Sequence, residues 1–234
     1  MSKPKIGVII PAFNEEQAVG WVVQEIPRNI AAEIVVVNNN STDSTQEVAA
    51  AAGATVLSEK RQGYGWACMK AIEYFRDSAQ PPDIVVFLDA DHSDYPQEMP
   101  VLLRPILEDG CDLVIGSRAF GQRERGALTP QQIFGNWLAT TLVRWFYGVR
   151  FTDLGPFRAM RFEQLLALGM SEMTYGWTVE MQVKAAKQGM KCGEVPVNYR
   201  RRIGYSKVSG TVRGTIGAGY KILATIFRLL VSSR

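Results

Sequence analysis

The segment from residue 83 to residue 94 reads D-I-V-V-F-L-D-A-D-H-S-D. Its run of five apolar residues, most of them β-branched, is typical of a strand buried on both faces of a sheet. The run leads directly into three carboxylates, Asp89, Asp91 and Asp94, and into His92, the only histidine of the chain. Clustered carboxylates beside a buried strand repel one another and lose hydration, so we expect a cation or a polar substrate to offset that cost.

Similar β-branched runs alternate with helical stretches through the first half of the chain. The predicted strands are residues 5–10, 33–38, 54–57, 83–88 and 111–115. The predicted helices between them are residues 15–27, 44–52, 65–77 and 97–107. This alternation predicts an open, mostly parallel α/β sheet whose strands are joined by helical crossovers and whose two faces are both covered.

A polar motif follows each of the first four predicted strands, at residues 11–16, 38–43, 61–65 and 89–91. Because ligands of open α/β sheets bind beyond the carboxyl ends of the strands, we expect the four motifs to share one rim and one ligand. Asp43 and Ser44 also fit a plain helix cap that needs no ligand, and this alternative stays open here.

The alternation stops at about residue 118. The second half is predicted to contain helices at 131–147, 162–168 and 178–188, a loop at 150–158, a strand at 194–199 and an Arg/Gly-rich loop at 200–210. We therefore predict a single domain, 1–234, made of a nucleotide-binding lobe (1–117), an acceptor-side lobe (118–210) and a C-terminal amphipathic helix (211–234).

Charge and cysteine content exclude several classes of protein. The net charge of +3 is too small to indicate a nucleic-acid partner, although arginines concentrate after residue 117 and predict an anionic ligand there. Cys68, Cys111 and Cys192 are far apart and odd in number, so we expect reduced thiols and neither a disulfide framework nor a zinc site. No signal peptide precedes the first strand, which predicts a cytoplasmic protein.

The longest apolar stretch, residues 215–231, carries Lys221 and Arg228 and falls short of the roughly 20 apolar residues of a spanning helix. Its apolar residues recur at helical spacing. Two interpretations remain open: the helix packs against the protein or in a homo-oligomer, or it lies on the cytoplasmic membrane surface and makes the protein peripheral.

Asp89 and Asp91 flank a small residue, so both carboxylates can point toward one Mg²⁺ or Mn²⁺ ion, although such a pair alone also fits a solvated turn. Four motifs favour the metal site over the solvated turn: V-I-I-P-A-F-N-E-E (8–16), V-V-V-N-N-N-S-T-D-S-T (35–45), F-L-D-A-D (87–91) and I-G-S-R (115–118). In this order and spacing they resemble the family 2 glycosyltransferases with the GT-A fold.

Two later segments narrow the resemblance. W-T-V-E-M-Q-V-K-A-A-K-Q-G (177–189) and Y-R-R-R-I-G-Y-S-K (199–207) are similar to the branch that contains dolichol-phosphate mannosyltransferases and bacterial polyprenyl-phosphate glycosyltransferases. The resemblance implies that Asp89 and Asp91 hold ribose and metal. The residues that it places around the rest of the donor are Pro11, Asn14, Glu15, Asn38, Asp43, Arg61 and Gly63. The residues that it places on the diphosphate or an anionic acceptor are Arg118, Arg202, Ser206 and Lys207.

The implied reaction is inverting transfer of a hexose from a nucleotide-sugar, UDP-linked rather than GDP-linked, to a polyprenyl phosphate. A phosphate acceptor is already a nucleophile, whereas a hydroxyl acceptor needs a base, for which Asp153 is the candidate. Asp153 also fits an acceptor-orienting group or a turn cap. We expect Glu180 to be buried and to orient the basic loop by pairing with an arginine, and we assign no chemistry to His92.

Three other functions are alternatives to hexose transfer onto a polyprenyl phosphate. Transfer to a soluble hydroxyl acceptor and non-enzymatic binding of a nucleotide-sugar both stay open. A nucleotidyltransferase is disfavoured, because residues 11–16 lack the glycine-rich, lysine-containing loop expected after the first strand.

The sequence departs from the family pattern at three places. Asn38, Asn39 and Asn40 stand where Asp-Asp-Gly is common, and Ser93 stands where the branch often has a metal-binding glutamine. Residues 129–132 read T-P-Q-Q, without the arginine that the branch tends to place before the helix facing the acceptor. These departures bear on the donor base, the metal and the acceptor respectively.

Overall fold

One seven-stranded sheet organises the part of the chain that the structure, a computed structural model, describes: residues 3–206 and 212–231. Its strands are β1 (Ile6–Ala12), β2 (Ala31–Asn38), β3 (Thr55–Ser58), β4 (Ile84–Phe87), β5 (Leu113–Ser117), β6 (Arg158–Arg161) and β7 (Cys192–Pro196). Their spatial order is β3-β2-β1-β4-β6-β5-β7. Strands β1 to β4 are mutually parallel, as the alternating sequence predicted.

The register of the parallel strands brings the polar motifs to one rim. Ala12 pairs with Asn38, and Asn38 pairs with Ser58, so β1, β2 and β3 end together. On the other side of β1, Ile9 pairs with Phe87, two residues before Asp89. The predicted shared rim is therefore confirmed.

Strand β6 is the main departure from the predicted sheet. It lies between β4 and β5 and is antiparallel to both, in a stretch where we expected a loop ending at residue 158. Its sequence, R-A-M-R, looks too polar for a central strand. Arg158 is nevertheless 1% exposed, because its guanidinium donates to the carbonyls of Leu154, Gly155 and Thr178.

Helices cover both faces of the sheet, as the sequence predicted. They are α1 (Val19–Glu25), α2 (Thr45–Ala51), α3 (Tyr64–Arg76), α4 (Met99–Leu107), α5 (Pro130–Tyr147), α6 (Phe162–Ala167), α7 (Trp177–Lys187) and α8 (Val212–Val231). Helices α1, α2 and α4 pack with Val8 and Ile10 on one face, and α3 and α5 to α8 pack with Ile9 on the other. Successive residues of β1 thus enter different cores, since side chains alternate along a strand.

Helices α5 and α8 pack against each other and leave apolar side chains outside. Tyr147 Oη donates to the carbonyl of Ile226 at 2.5 Å, and Ile226 is fully buried. Outward from this contact, Trp145 is 74% exposed and Tyr220 is 71% exposed. By length and composition alone, Gly214–Val231 is apolar enough to cross a membrane, although its inner side chains contact the protein. The packing interpretation of this helix is therefore correct for its inner face.

Candidate active site

The loops that follow β1 and β2 are joined by hydrogen bonds. Asn14 has a left-handed backbone (φ 53°); its amide donates to Ser41 Oγ at 2.9 Å, and its side-chain oxygen accepts from the Thr42 amide at 2.8 Å. The amide of Glu15 donates to Thr45 Oγ1 at 2.8 Å. Asparagine tolerates this backbone conformation better than most residues, which explains its place in the motif. The two loops form one rigid frame.

Asn39 holds the loop that follows β3. Its side-chain nitrogen donates to the carbonyls of Glu59 and Arg61 at 3.1 and 2.7 Å, and its oxygen accepts from the Gly63 amide at 2.8 Å. The side chain is 5% exposed, so these three bonds satisfy a buried amide. Sequence reasoning named Asn38 for the donor and treated Asn39 only as a departure from the family pattern.

A segment before α7 closes against this loop. Gly63 has φ 151°, and a Cβ there would lie 2.3 Å from the carbonyl oxygen of Met173, so only glycine fits. The amide of Gly65 donates to the same carbonyl at 3.1 Å. The neighbouring Glu172 lies 3.8 Å from Lys221 Nζ and 3.9 Å from Arg228 Nη2, both on α8. We call residues 171–176 the clasp segment.

Asp89 and Asp91 face the same space at the end of β4. The Oδ1 atom of Asp89 is buried and has no hydrogen-bond partner among the described residues. Burial, together with the nearby Asp91 carboxylate, raises the pKa of Asp89 from 3.8 to about 7. Asp91 is held in place by Ser93, whose amide and hydroxyl both donate to its Oδ1 atom. Ser93, which replaces a glutamine of the family pattern, thus orients this carboxylate.

Arg202, which is distant in the sequence, forms ion pairs with Glu15 and Asp91. Its Nη2 atom lies 2.8 Å from Glu15 Oε1 and its Nη1 atom 3.1 Å from Asp91 Oδ2. The loop is fixed by its backbone, because the amides of Ile203 and Arg200 donate to the carbonyls of Asp91 and Ser93. The described part of the late basic loop therefore lies on the aspartate motif, and its predicted contact with a phosphate stays a prediction. Lys207 lies outside the described residues.

Arg118 and Asp153 form a buried ion pair. Arg118 Nε and Nη2 donate to the two carboxylate oxygens at 2.8 and 2.6 Å, and the Arg118 amide adds a bond at 2.8 Å. Asp153 is 2% exposed. Burial alone would raise the pKa of Asp153, but the charge and hydrogen bonds of Arg118 outweigh it and hold that pKa below its ordinary value.

Asp89, Asp91, Arg118 and Arg202 line a cavity of about 670 Å³ at the carboxyl ends of the strands, which we call the strand-end cavity. The predicted residues that line it are Pro11, Glu15, Gly63, Asp89, Asp91, Arg118 and Arg202. Lining residues that the sequence did not single out are Phe13, Asn39, Tyr64, Tyr175, Trp177 and Thr178. The first three follow strand ends, so their positions in the polar motifs were the available signal.

Besides Asp153, which lines a neighbouring cavity, five predicted residues of the described chain lie outside this lining. Asn14 joins the frame described above, and Asn38 bonds the Ser41 amide and Gln46. Asp43 bonds Thr45 and the Glu16 amide, as a cap would. Arg61 pairs with Glu59 at 2.8 Å and covers the Trp66 ring. Ser206 is half-buried at the end of the described loop. Contact of these five with a donor or acceptor stays a prediction.

The carboxylates fit a hard divalent cation. The buried, unpartnered Asp89 oxygen and the raised pKa both indicate unbalanced negative charge. The described residues include no group of three or more potential metal ligands. Mg²⁺ commonly binds one or two carboxylates and completes its shell with water and substrate phosphates, so Asp89 and Asp91 suffice.

Comparison with known proteins identifies the family. The sequence pattern described as Glycosyl transferase family 2 matches residues 7–168, which contain both aspartates and Arg118. The chain belongs to glycosyltransferase family 2. A dolichyl-phosphate hexose transferase from Haloferax volcanii is 33% identical over 208 residues, covering 87% of this chain and 86% of that protein. An uncharacterized glycosyltransferase from Mycobacterium tuberculosis is 36% identical, covering 92% and 95%.

Solved structures confirm the GT-A fold of this glycosyltransferase. Glucosyl-3-phosphoglycerate synthase from Mycobacterium tuberculosis, in complex with Mn²⁺, UDP-glucose and phosphoglyceric acid, superposes with a TM-score of 0.76 at 23% identity. The match covers 99% of this chain and 81% of the synthase. The resemblance to the polyprenyl-phosphate branch is also supported, by an undecaprenyl-phosphate mannosyltransferase from Micrococcus luteus that is 31% identical over 56% of each chain.

Two remaining expectations have clear outcomes. Glu180 is fully buried, but it accepts hydrogen bonds from Ser171 and the Glu172 amide, and its nearest arginine is Arg228 of α8 at 3.8 Å. It therefore supports the clasp segment, and the expectation that it orients the described part of the basic loop is wrong. All three cysteines are free, as predicted.

Proposed function

We propose that this glycosyltransferase is an inverting, divalent-cation-dependent enzyme that moves a hexose from a nucleotide-sugar, UDP-linked rather than GDP-linked, to a polyprenyl phosphate. One observation carries the proposal: Arg118, Arg202, Asp89 and Asp91 line a single cavity at the strand ends. Carboxylates that bind a cation and arginines that bind phosphate are the two groups that a nucleoside diphosphate requires.

The two arginines have separate tasks in the proposed reaction. A bound Mg²⁺ or Mn²⁺ ion would supply positive charge to the diphosphate leaving group. Arg202 would exchange its ion pair with Asp91 for the diphosphate, while backbone bonds from Arg200 and Ile203 keep its loop in place. Arg118 is fixed by Asp153 and keeps its charge directed into the cavity. Tyr64 and Trp177 close the inner wall and limit access of water.

The state of Asp153 favours a phosphate acceptor. A base must take a proton, but the pKa of Asp153 is lowered and both of its oxygens accept from Arg118. A phosphate acceptor needs no base, because a phosphate monoester is mostly dianionic near neutral pH. The dolichyl- and undecaprenyl-phosphate transferases named above support the same acceptor class.

A lipid acceptor requires contact with a membrane, and α5 and α8 offer a surface for it. Trp145 and Phe146 of α5 and Tyr220 and Phe227 of α8 are exposed, and the rings of Phe146 and Phe227 lie 5.5 Å apart. Aromatic side chains near cations are typical of helices that lie in the lipid–water interface. We name these four residues the aromatic face and propose that it rests on the cytoplasmic membrane surface.

A soluble phosphorylated acceptor is the second candidate. The observation that favours it is the shared fold with a synthase whose complex contains phosphoglyceric acid beside UDP-glucose. Transfer to a neutral hydroxyl acceptor would instead require Asp153 to be freed from Arg118 and to act as base.

The test is a donor and acceptor scan with the purified protein. Thermal shift with UDP-glucose and GDP-mannose, each with and without Mn²⁺, should show stabilisation by a donor that depends on the metal. Product analysis then compares undecaprenyl phosphate with 3-phosphoglycerate as acceptors. Failure of every metal–donor combination to release a nucleoside diphosphate would refute enzymatic function and leave a nucleotide-sugar-binding protein.

Asp153→Asn separates the acceptor classes. With a phosphate acceptor the variant should lose about tenfold in kcat/KM through the disturbed Arg118, and its pH profile should keep its shape. With a hydroxyl acceptor it should lose about a thousandfold and the basic limb of the profile.

A further inference from the structure

A second cavity, of about 400 Å³, lies beside the strand-end cavity. It is bounded by α5, by the turn that follows β5 and by the loop that precedes β6. Arg118 lines both cavities, so the two spaces are neighbours across one side chain. We call this second space the arginine pocket.

The arginine pocket has an excess of positive charge. Arg123, Arg144 and Arg150 line it and are exposed, and their guanidinium groups make no hydrogen bond or ion pair within residues 3–206 and 212–231. The single carboxylate of the lining, Asp153, is already neutralised by Arg118. Three guanidinium groups are thus available to an anion, and planar guanidinium forks match phosphate oxygens.

The floor of the pocket is held rigid. Asn136 of α5 donates to the carbonyl of Thr152 at 2.9 Å and accepts from the Leu154 amide at 2.8 Å. The Thr152 amide in turn donates to Glu194 Oε1 at 2.9 Å. A floor fixed by side-chain bonds on both sides needs little ordering when a ligand binds.

One side of the pocket is apolar and continues onto the surface of α5. Ile133 and Trp137 line the pocket while remaining 46% and 57% exposed. Phe134 is 60% exposed, and its ring centroid lies 5.8 Å from that of Trp137. A ligand that filled this space would therefore place an anionic group among arginines and an apolar body along the helix.

We propose that the arginine pocket binds the phosphate group of a lipid phosphate, with Arg123, Arg144 and Arg150 as its ligands. The proposal rests on the function proposed above and adds the site of the acceptor. It also accounts for residues 129–132, which lack an arginine before α5, because three arginines elsewhere on the pocket wall supply the charge.

Binding of farnesyl phosphate, a short prenyl phosphate, tests the proposal without any need for catalysis. Titration calorimetry compares the natural protein with Arg144→Gln/Arg150→Gln and with the matched control Arg104→Gln/Arg125→Gln. Both control arginines are exposed and lie outside the pocket. We expect the pocket variant to lose about thirtyfold or more in affinity and the control to lose less than twofold, since only the pocket variant loses charge-assisted hydrogen bonds to the phosphate. UDP with Mn²⁺ should bind all three proteins equally.

The outcomes separate this inference from the proposed function. Unchanged farnesyl phosphate binding in the pocket variant would overturn the inference, even if transfer to a lipid phosphate is observed. Equal affinity for farnesyl phosphate and glycerol 3-phosphate would overturn the lipid part of it and point to a soluble phosphate ester. Absence of nucleotide-sugar turnover in the natural protein would instead overturn the proposed function. A melting temperature of the variant within about 2 °C of the natural protein would show that the fold is kept.

Discussion

The strand-end cavity and the arginine pocket differ in how far their charges are balanced. In the first, Arg202 bridges Glu15 and Asp91, and Arg118 pairs with Asp153. In the second, Arg123, Arg144 and Arg150 are exposed, and the one carboxylate of the lining, Asp153, is already paired with Arg118. The first site is organised by its own charges before any ligand binds, whereas the second depends on a ligand to balance it. Variants in the two cavities should therefore separate effects on donor binding from effects on acceptor and membrane binding.

The largest expected effect comes from Asp91 in the strand-end cavity. Asp91→Ala removes a carboxylate that faces the proposed cation and also anchors Arg202. We expect transfer to fall by about a thousandfold or more, because charge stabilisation of the leaving group is lost. Steady-state nucleoside diphosphate release measures it, and Asp77→Ala, at an exposed carboxylate paired with Arg76, is the control. Full activity of Asp91→Ala would remove this residue from the site.

A smaller effect is expected from the arginine that bridges the carboxylates. Arg202→Gln should lower kcat/KM by about a hundredfold, since a charged donor to the diphosphate is replaced by a neutral one. The neighbouring Arg201 bonds the Arg125 carbonyl and provides a matched control, Arg201→Gln, expected to stay within about threefold. If both variants lower kcat/KM equally, the loss comes from the total charge of the loop and not from the contacts of Arg202 with Glu15 and Asp91.

The pH dependence tests Asp89, the exception in the strand-end cavity, because its Oδ1 atom has no hydrogen-bond partner among the described residues. Between about pH 4 and pH 7 the folded protein holds this proton while the unfolded chain has released it, so the carboxyl lowers stability as the pH rises through that window. Mn²⁺ must displace the proton, so its affinity should be about tenfold weaker at about pH 6 than at about pH 8. Calorimetric titration of Mn²⁺ measures this difference.

A matched variant separates Asp89 from its buried neighbour. The pKa of Asp94 is also raised by burial and by Asp89, so Asp94→Asn should alter stability against pH. It should leave the pH dependence of Mn²⁺ binding intact, whereas Asp89→Asn should abolish Mn²⁺ binding. An Asp89→Asn variant that binds Mn²⁺ normally would contradict the metal assignment.

The smallest expected effect is that of the aromatic face on α5 and α8, which tests the proposed membrane binding. Trp145→Ser/Phe227→Ser should weaken sedimentation with phosphatidylglycerol vesicles by about fivefold, because about 1 kcal/mol of interfacial contact is lost. UDP binding should not change. Trp21→Ser, at a tryptophan 58% exposed on α1 across the sheet, should have no effect on either measurement. Equal loss in both variants would indicate nonspecific adsorption.

How much the sequence could predict differs between local and long-range features. The parallel half of the sheet followed from β-branched runs alternating with helices, since that pattern is local. Strand β6 did not, because Arg158 and Arg161 donate to the carbonyls of Thr178 in α7 and Ile106 in α4, which are distant in the sequence. A polar strand of this kind can be recognised only once these helices are in place.

The same distinction holds within the site. Asp89, Asp91 and Arg202 were identified from motifs, but their contact depends on hydrogen bonds between the basic loop and the aspartate turn. Asn39 was missed because residues 38–40 are all asparagine. Only the structure shows that the Asn39 side chain is the one that bonds the loop after β3. The arginine pocket unites residues from three separate segments, which no local pattern indicates.

The clasp segment touches two separate parts of the molecule. Its carbonyls touch the glycines that shape the strand-end cavity, while Glu172 and Gly176 contact α8, where a Cβ on Gly176 would lie 2.5 Å from Thr225 Oγ1. A segment of six residues thus connects α8 to the wall of the strand-end cavity. Under the proposed function, a displacement of α8 on a membrane would be transmitted through these six residues to the donor site.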